Sequence, residues 1–246
     1  MTQRTRLARI ALLGATVGLL AALASASLGA AAGKPGYPDK VTWNGAVWSV
    51  KTSRSAVGPG PCVFAKANVS VAADDLHLRI SRSGSTWTCA EVIGPTSFGY
   101  GTYTFTLVSD VSDLDPNVVL GLFTWSDKAP YAHREVDIEV ADWGDPTAST
   151  NAQYVFQPWD VSGHLVRFNQ PAVARSTHAF TWRAGTIAWQ SRAGDGSHIA
   201  SYAYSGADVP RPGDERVRLN LWLFGGAAPM DGQPVEVVVE SFVFTP

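Results

Sequence analysis

The sequence predicts an all-β chain folded as a two-sheet antiparallel sandwich or jelly roll. Three observations predict it. Short segments that alternate apolar and polar residues, rich in β-branched and aromatic side chains, recur from residue 41 to the end. The 23 Gly and 15 Pro supply a turn between almost every pair of them. No stretch after residue 33 has the apolar period of a helix. About fourteen strands are expected, in one domain over 34–246, with no repeat and no low-complexity tract.

The first 33 residues stand apart. Arg4, Arg6 and Arg9 form a basic start, an apolar run follows over 10–24, and small residues follow that. This is the pattern of a secretory signal peptide. No later apolar run is long enough to cross a bilayer as a helix, so an exported chain with no membrane contact after cleavage is expected. Without the leader the chain has 16 basic and 21 acidic residues, a net charge of −5. There is no basic patch for nucleic acid. The two cysteines of an exported chain, Cys62 and Cys89, are expected to pair, closing a loop of about 27 residues.

After a short linker over 34–40, segments 41–43 and 47–50 read as strands around Asn44-Gly45. A Gly/Pro/Ser loop leads to Cys62. Segments 68–71 and 76–80 alternate across Asp74-Asp75, and Ser83-Gly84-Ser85 separates them from 86–93. Gly99 and Gly101 mark a turn into a strand ending at Leu107. Segment 118–125 is almost continuously apolar, as in a central strand. Further strands are expected over 134–140, 151–157, 164–169, 178–183, 186–191, 199–204, 216–224 and 235–244.

Segment 134–140 carries the chemistry. Val136, Ile138 and Val140 alternate with Glu135, Asp137 and Glu139, so one strand face is apolar and the other holds three carboxyls. Like charges on one face repel and raise the proton affinity of at least one member. An ionised carboxylate beside a protonated one is the equipment for cleaving a glycosidic bond. A solvated acidic face and a calcium site are the rival readings. Neighbours on a rigid strand wrap an ion less well than a loop does. Nine Trp, seven Tyr and ten Phe exceed the expected need of the core. Trp125, Tyr131, Trp143, Tyr154, Trp159 and Trp222 fall near loops or strand ends, where rings can stack on the C–H faces of sugars. His133 falls two residues before Glu135, on the acidic face if the strand reaches that far. No nucleophile elbow, phosphate-binding loop, dinucleotide fingerprint or metal-spaced Cys/His set is present.

Glu135-Val136-Asp137-Ile138-Glu139 resembles the Glu-x-Asp-x-Glu signature of glycoside hydrolase family 16. Other segments extend the resemblance in order over 41–245. They are Glu91 followed by Phe98-Gly99-Tyr100-Gly101, the strand 121–125, the hairpin carrying His178, Trp182 and Trp189, and Asn220-Leu221-Trp222. The resemblance implies a concanavalin A-like jelly roll with the acidic strand on the floor of a cleft. It also implies a retaining endo-β-glycosidase acting on a polysaccharide, a β-glucan first. Glu135 would be the nucleophile, Glu139 the acid/base, and Asp137 the group that hydrogen-bonds the nucleophile. Glu91, Trp125, Tyr131, His133, Gln153, Asn220 and Trp222 would contact substrate. The signature lacks the extra bulge residue of laminarinases, which places it nearer lichenases and transglycosylases. A transglycosylase and a non-hydrolytic carbohydrate-binding wall protein are the alternatives. No cofactor is required, a structural calcium away from the cleft is compatible, and a monomer is expected. Three positions depart from the family pattern: His133 where Trp is common, Ile93 where Arg is common, and Val155 where Asn is frequent.

Overall fold

A computed structural model describes residues 37–246; the predicted leader lies outside the described residues. Sixteen strands follow one another. The first hairpin, β1 (Asp39–Trp43) and β2 (Ala46–Val50), turns on Asn44 and Gly45 with φ of 52° and 71°, a two-residue turn whose twist matches that of its strands. Next come β3 (Val63–Phe64), β4 (Val69–Ala72), β5 (Asp75–Ser83), β6 (Thr86–Ile93), β7 (Gly101–Leu107) and β8 (Val118–Trp125). The acidic strand is β9 (Val136–Val140), followed by β10 (Ala152–Phe156) and β11 (Leu165–Phe168). The chain ends with β12 (Ser176–Arg183), β13 (Thr186–Ala193), β14 (His198–Ser205), β15 (Arg216–Leu223) and β16 (Val235–Thr245). The predicted strands are all present. The unpredicted one, β3, is two residues long and pairs in parallel with β6 beside Cys62; a dipeptide strand has no alternation to read.

The strands form the two layers of a jelly-roll sandwich. One sheet runs β11-β10-β9-β8-β15-β6-β2-β1, and the other runs β4-β5-β16-β7-β12-β13-β14. They join where β5 turns into β6 at Ser83–Thr86. Val136, Ile138 and Val140 on the first sheet's inner face share one buried core with aromatics of the second, among them Trp189, Phe180 and Phe105. Trp189 Nε1 donates to the Asp137 carbonyl at 3.0 Å, tying the second sheet to the acidic strand. Most of the aromatic excess is therefore core. Trp43, Trp48, Trp182, Trp189 and Tyr154 are all fully enclosed, which corrects the placement of Tyr154 among the cleft-lining rings.

Cys62 and Cys89 form the expected disulfide, 27 residues apart in sequence. Closing a loop of that length stabilises by about 3 kcal/mol through the unfolded chain. Reduction should lower the melting temperature by about 10 °C at roughly 2–4 °C per kcal/mol. An unchanged melt, or two thiols titrating in the native oxidised protein, would contradict the bridge.

Candidate active site

The register of the first sheet lines up two rows of side chains on its outer face. Directly paired residues share a face. One row reads Arg167, Gln153, Glu139, Gly121, Asn220 and Glu91 across β11, β10, β9, β8, β15 and β6. The next reads Leu165, Val155, Asp137, Phe123, Arg218 and Ile93. The ladder continues past β9, where Gln157 N–H donates to the Glu135 carbonyl at 3.2 Å, so Gln157 stands beside Glu135. All three carboxyls thus share one face with Gln153, Asn220 and Glu91, as the alternation requires.

Gly121 is needed where it stands. A Cβ there would lie 2.4 Å from Asn220 Oδ1, so only a residue without a side chain lets the amide sit beside Glu139. Gln153 Nε2 donates to Glu139 Oε2 at 2.7 Å, fixing one glutamate.

Glu135 lies just outside β9, which begins at Val136. Ahead of it, Tyr131, Ala132, His133 and Arg134 all have positive φ, 56°, 47°, 62° and 55°. Each such non-glycine residue costs roughly 1–2 kcal/mol, so the turn persists only because its surroundings over-determine it. Ser126 N–H donates to the His133 carbonyl at 2.7 Å, and Thr124 Oγ1 to the Arg134 carbonyl at 2.8 Å. His133 Nδ1 donates to the Ser126 carbonyl at 2.8 Å, which places the proton on that nitrogen. The His133 ring stacks on Trp125, with centroids 4.1 Å apart and planes 5° from parallel. His133 is therefore a turn residue propped on Trp125 rather than a member of the strand face, because the left-handed turn ends the alternation at Glu135. One face of Trp125 is already covered by that stack.

Glu91 is 1% exposed and both of its oxygens are committed. Lys51 Nζ lies 2.9 Å from Oε2, and Arg218 Nη1 lies 2.9 Å from Oε1. The second Nη of Arg218 reaches Asp127 at 2.8 Å, and its guanidinium faces the Tyr37 ring at 5.8 Å. Sequence reasoning missed Lys51, Asp127 and Arg218. The signal was indirect: position 93 holds Ile where the resembled family commonly carries arginine, and the register sets Arg218 directly opposite Ile93. The guanidinium comes from the neighbouring strand. Trp222, 8% exposed, packs against Trp143 and the Gly60 backbone, so little of its ring faces outward.

The electrostatics follow from this crowding. Burial and the nearby Glu139 charge push Glu135 up to about 8, against the pull of Arg218. Burial lifts Glu139 to about 7, opposed by the Gln153 hydrogen bond and by Arg167. Asp137 is raised well above its ordinary value by burial and by both glutamates. The trio titrates as one coupled group that retains protons at neutral pH. Asp137 makes no hydrogen bond to Glu135 in this structure; its Oδ2 is buried without a partner. Gln153 Oε1, Asn220 Oδ1 and Arg218 Nε are buried and unpartnered as well. Four of the seven such atoms among the described residues therefore lie on this one face, and buried polar atoms are rarely left unpaired without a use.

A raised carboxyl pKa makes a testable statement about stability. The folded state binds the proton more tightly than the unfolded chain, so this stabilisation is complete below pH 4 and is lost as pH climbs through 7 to 8. Asp137→Asn cannot ionise and escapes the loss. Its melting temperature should match wild type at acid pH and exceed it increasingly toward pH 8. A gap that is constant across pH, or that shrinks, would count against the coupled trio.

Among the described residues no group of three or more His, Cys, Asp and Glu is arranged to hold a metal ion. A cavity of about 260 Å³ lies elsewhere, lined by residues including Trp43, Asp74 and Glu240, and the carboxyls take no part in it. No helix among the described residues is long and apolar enough to cross a membrane.

No protein-family model and no curated protein sequence matches the chain. Solved structures do. A Bacillus licheniformis β-glucanase superposes with a TM-score of 0.64 at 22% identity, covering 83% of this chain and 94% of its own. A non-specific endo-β-1,3(4)-glucanase from family GH16 gives 0.58 at 16%, covering 80% and 83%. Crh5 transglycosylase gives 0.52 at 15%, covering 80% and 78%. The chain has the concanavalin-type jelly-roll fold of these enzymes. At such identities the likeness speaks for the fold alone.

Proposed function

We propose that this protein is a secreted, retaining endo-β-glycosidase that hydrolyses a β-glucan by double displacement. The observation that supports it best is the shared face of Glu135, Asp137 and Glu139, on which four buried polar atoms, Asp137 Oδ2 among them, have no partner. Half-buried Glu135 and Glu139 are the carboxyls on this face that a polymer crossing the strands can reach. The glucanases among the structural neighbours support the choice of glucan.

In the first step the Glu135 carboxylate attacks the anomeric carbon while Glu139 gives its proton to the glycosidic oxygen. The C–O bond breaks, the shortened polymer leaves, and a glycosyl ester forms on Glu135. In the second step ionised Glu139 takes a proton from water, the water oxygen attacks the same carbon, and Glu135 is released. Asp137, kept protonated by burial, is the neighbouring group that would donate a hydrogen bond to the Glu135 carboxylate during the reaction, a bond it does not make in this structure. Side chains supply every group, so the reaction needs no cofactor. The transglycosylase neighbour favours one variant of this reading, in which a sugar hydroxyl replaces water in the second step.

The test is a screen of purified protein against β-1,3-, mixed-linkage, xylo- and sulfated galactan polymers. New reducing ends on a β-glucan are expected, and lengthened products would identify the transglycosylase. Retention on a polymer without cleavage would replace the enzyme with a carbohydrate-binding protein.

A further inference from the structure

The two most exposed aromatic rings among the described residues, Tyr131 at 49% and Trp159 at 44%, lie beyond the same end of β9 and β10. Tyr131 sits in the left-handed turn that enters Glu135. Trp159 sits two residues after Gln157, the residue laddered to Glu135. An exposed tryptophan on a loose loop would mean little, but this loop is pinned throughout. Gln157 Oε1 accepts from Trp159 N–H at 3.1 Å, and Val161 N–H donates to the Pro158 carbonyl. Buried His164 donates through Nδ1 to the Pro158 carbonyl at 2.8 Å and meets Asp208 through Nε2 at 2.8 Å. Tyr202 donates to the Gly163 carbonyl at 2.8 Å. Holding a large apolar ring out in water on a fixed backbone is unfavourable unless something covers it, and the fixed backbone lowers the entropy lost when it is covered.

Resting on the reading above, we propose that Trp159 is the platform of a sugar-binding subsite on the β10–β11 side of the carboxyls, stacking a pyranose ring of the bound β-glucan. The floor runs across the strands from Glu91 on β6 to Arg167 on the edge strand β11. A polymer lying along it passes the Trp159 loop only after it has crossed the carboxyls. The ring therefore adds affinity for long chains and none for a substrate too short to reach it.

The test uses Trp159→Ala and Trp159→Phe, with laminarin (a β-1,3-glucan), mixed-linkage β-1,3-1,4-glucan and an aryl β-disaccharide as probes. Binding to each polymer is measured by calorimetry in a Glu135→Gln background, and kcat/KM for each probe in the otherwise native enzyme. Trp159→Ala should weaken binding of the preferred polymer about tenfold, the size expected for truncating a stacked aromatic anchor. Trp159→Phe should keep most of the affinity, and kcat/KM on the disaccharide should not change. Wild-type polymer binding and cleavage by Trp159→Ala would overturn the subsite and leave the glycosidase reading standing. An equal loss on disaccharide and polymer would also overturn it, by pointing to general disturbance of the site. If wild type neither binds nor cleaves either polymer, the glucan reading fails and the subsite fails with it.

Discussion

Replacing Glu135 with Gln should reduce turnover on the order of ten-thousandfold while the melt and the far-UV spectrum stay native. A glutamine keeps the shape and loses the nucleophilic oxygen. Glu139→Gln should cost less, about 10²–10⁴-fold, the range of a positioned general acid. The structure raises Glu135, to about 8, at least as far as Glu139, to about 7, so charge state does not favour Glu135 as the nucleophile and a second measurement has to separate the roles. With Glu139→Ala, azide can attack the glycosyl-enzyme in place of activated water, and the glycosyl azide formed retains the anomeric configuration. With Glu135→Ala, azide can enter only from the vacated face, and the product is inverted. The reverse pattern would exchange the two roles. Wild-type-like turnover by Glu135→Gln would remove Glu135 from the chemistry.

Arg218→Met should lower stability by about 3 kcal/mol, the cost of leaving a buried charge without its partner, which is roughly 6–12 °C in melting temperature. Arg218 is 4% exposed and binds Glu91 and Asp127 through separate nitrogens. Lys51 still meets Glu91 in the variant, which keeps the cost at the lower end for a broken buried pair. The double variant Arg218→Met with Glu91→Gln should recover much of the loss, because no uncompensated charge remains. Arg218 also pulls the Glu135 proton affinity down. Its removal should therefore shift the acid limb of the pH–rate profile to higher pH. A single variant as stable as wild type, with an unmoved acid limb, would show that the ion-pair cluster matters to neither fold nor site.

The sequence was most informative where side chains alternate. Along 136–140 the period of two is unbroken, so the division into a core face and an acidic face was legible from the residues alone. So were the first hairpin at Asn44-Gly45 and the pairing of the two cysteines, because turn chemistry and an even thiol count are local or compositional signals. Legibility failed where function depends on neighbours that are distant in sequence. Arg218 and Ile93 are 125 residues apart and directly opposed in the sheet, and no periodicity within either strand records that pairing. His133 was misplaced for a related reason. Four consecutive left-handed residues, none of them glycine, leave no trace in local propensity; the bonds to Thr124 and Ser126 hold them in place.

By itself the sequence determined the strands, the sandwich and the identity of three carboxyls on one face, since each follows from side-chain chemistry read at a fixed spacing. Only the tertiary structure decided how those carboxyls are charged and what surrounds them. Burial raises all three, Gln153 and Arg218 arrive from β10 and β15, and of the tryptophans expected to meet sugar Trp222 is buried, Trp125 is stacked under His133, and Trp159 stands exposed. Proton affinity depends on desolvation and on charges brought near in space, and strand pairing across the sheet, not order along the chain, sets both.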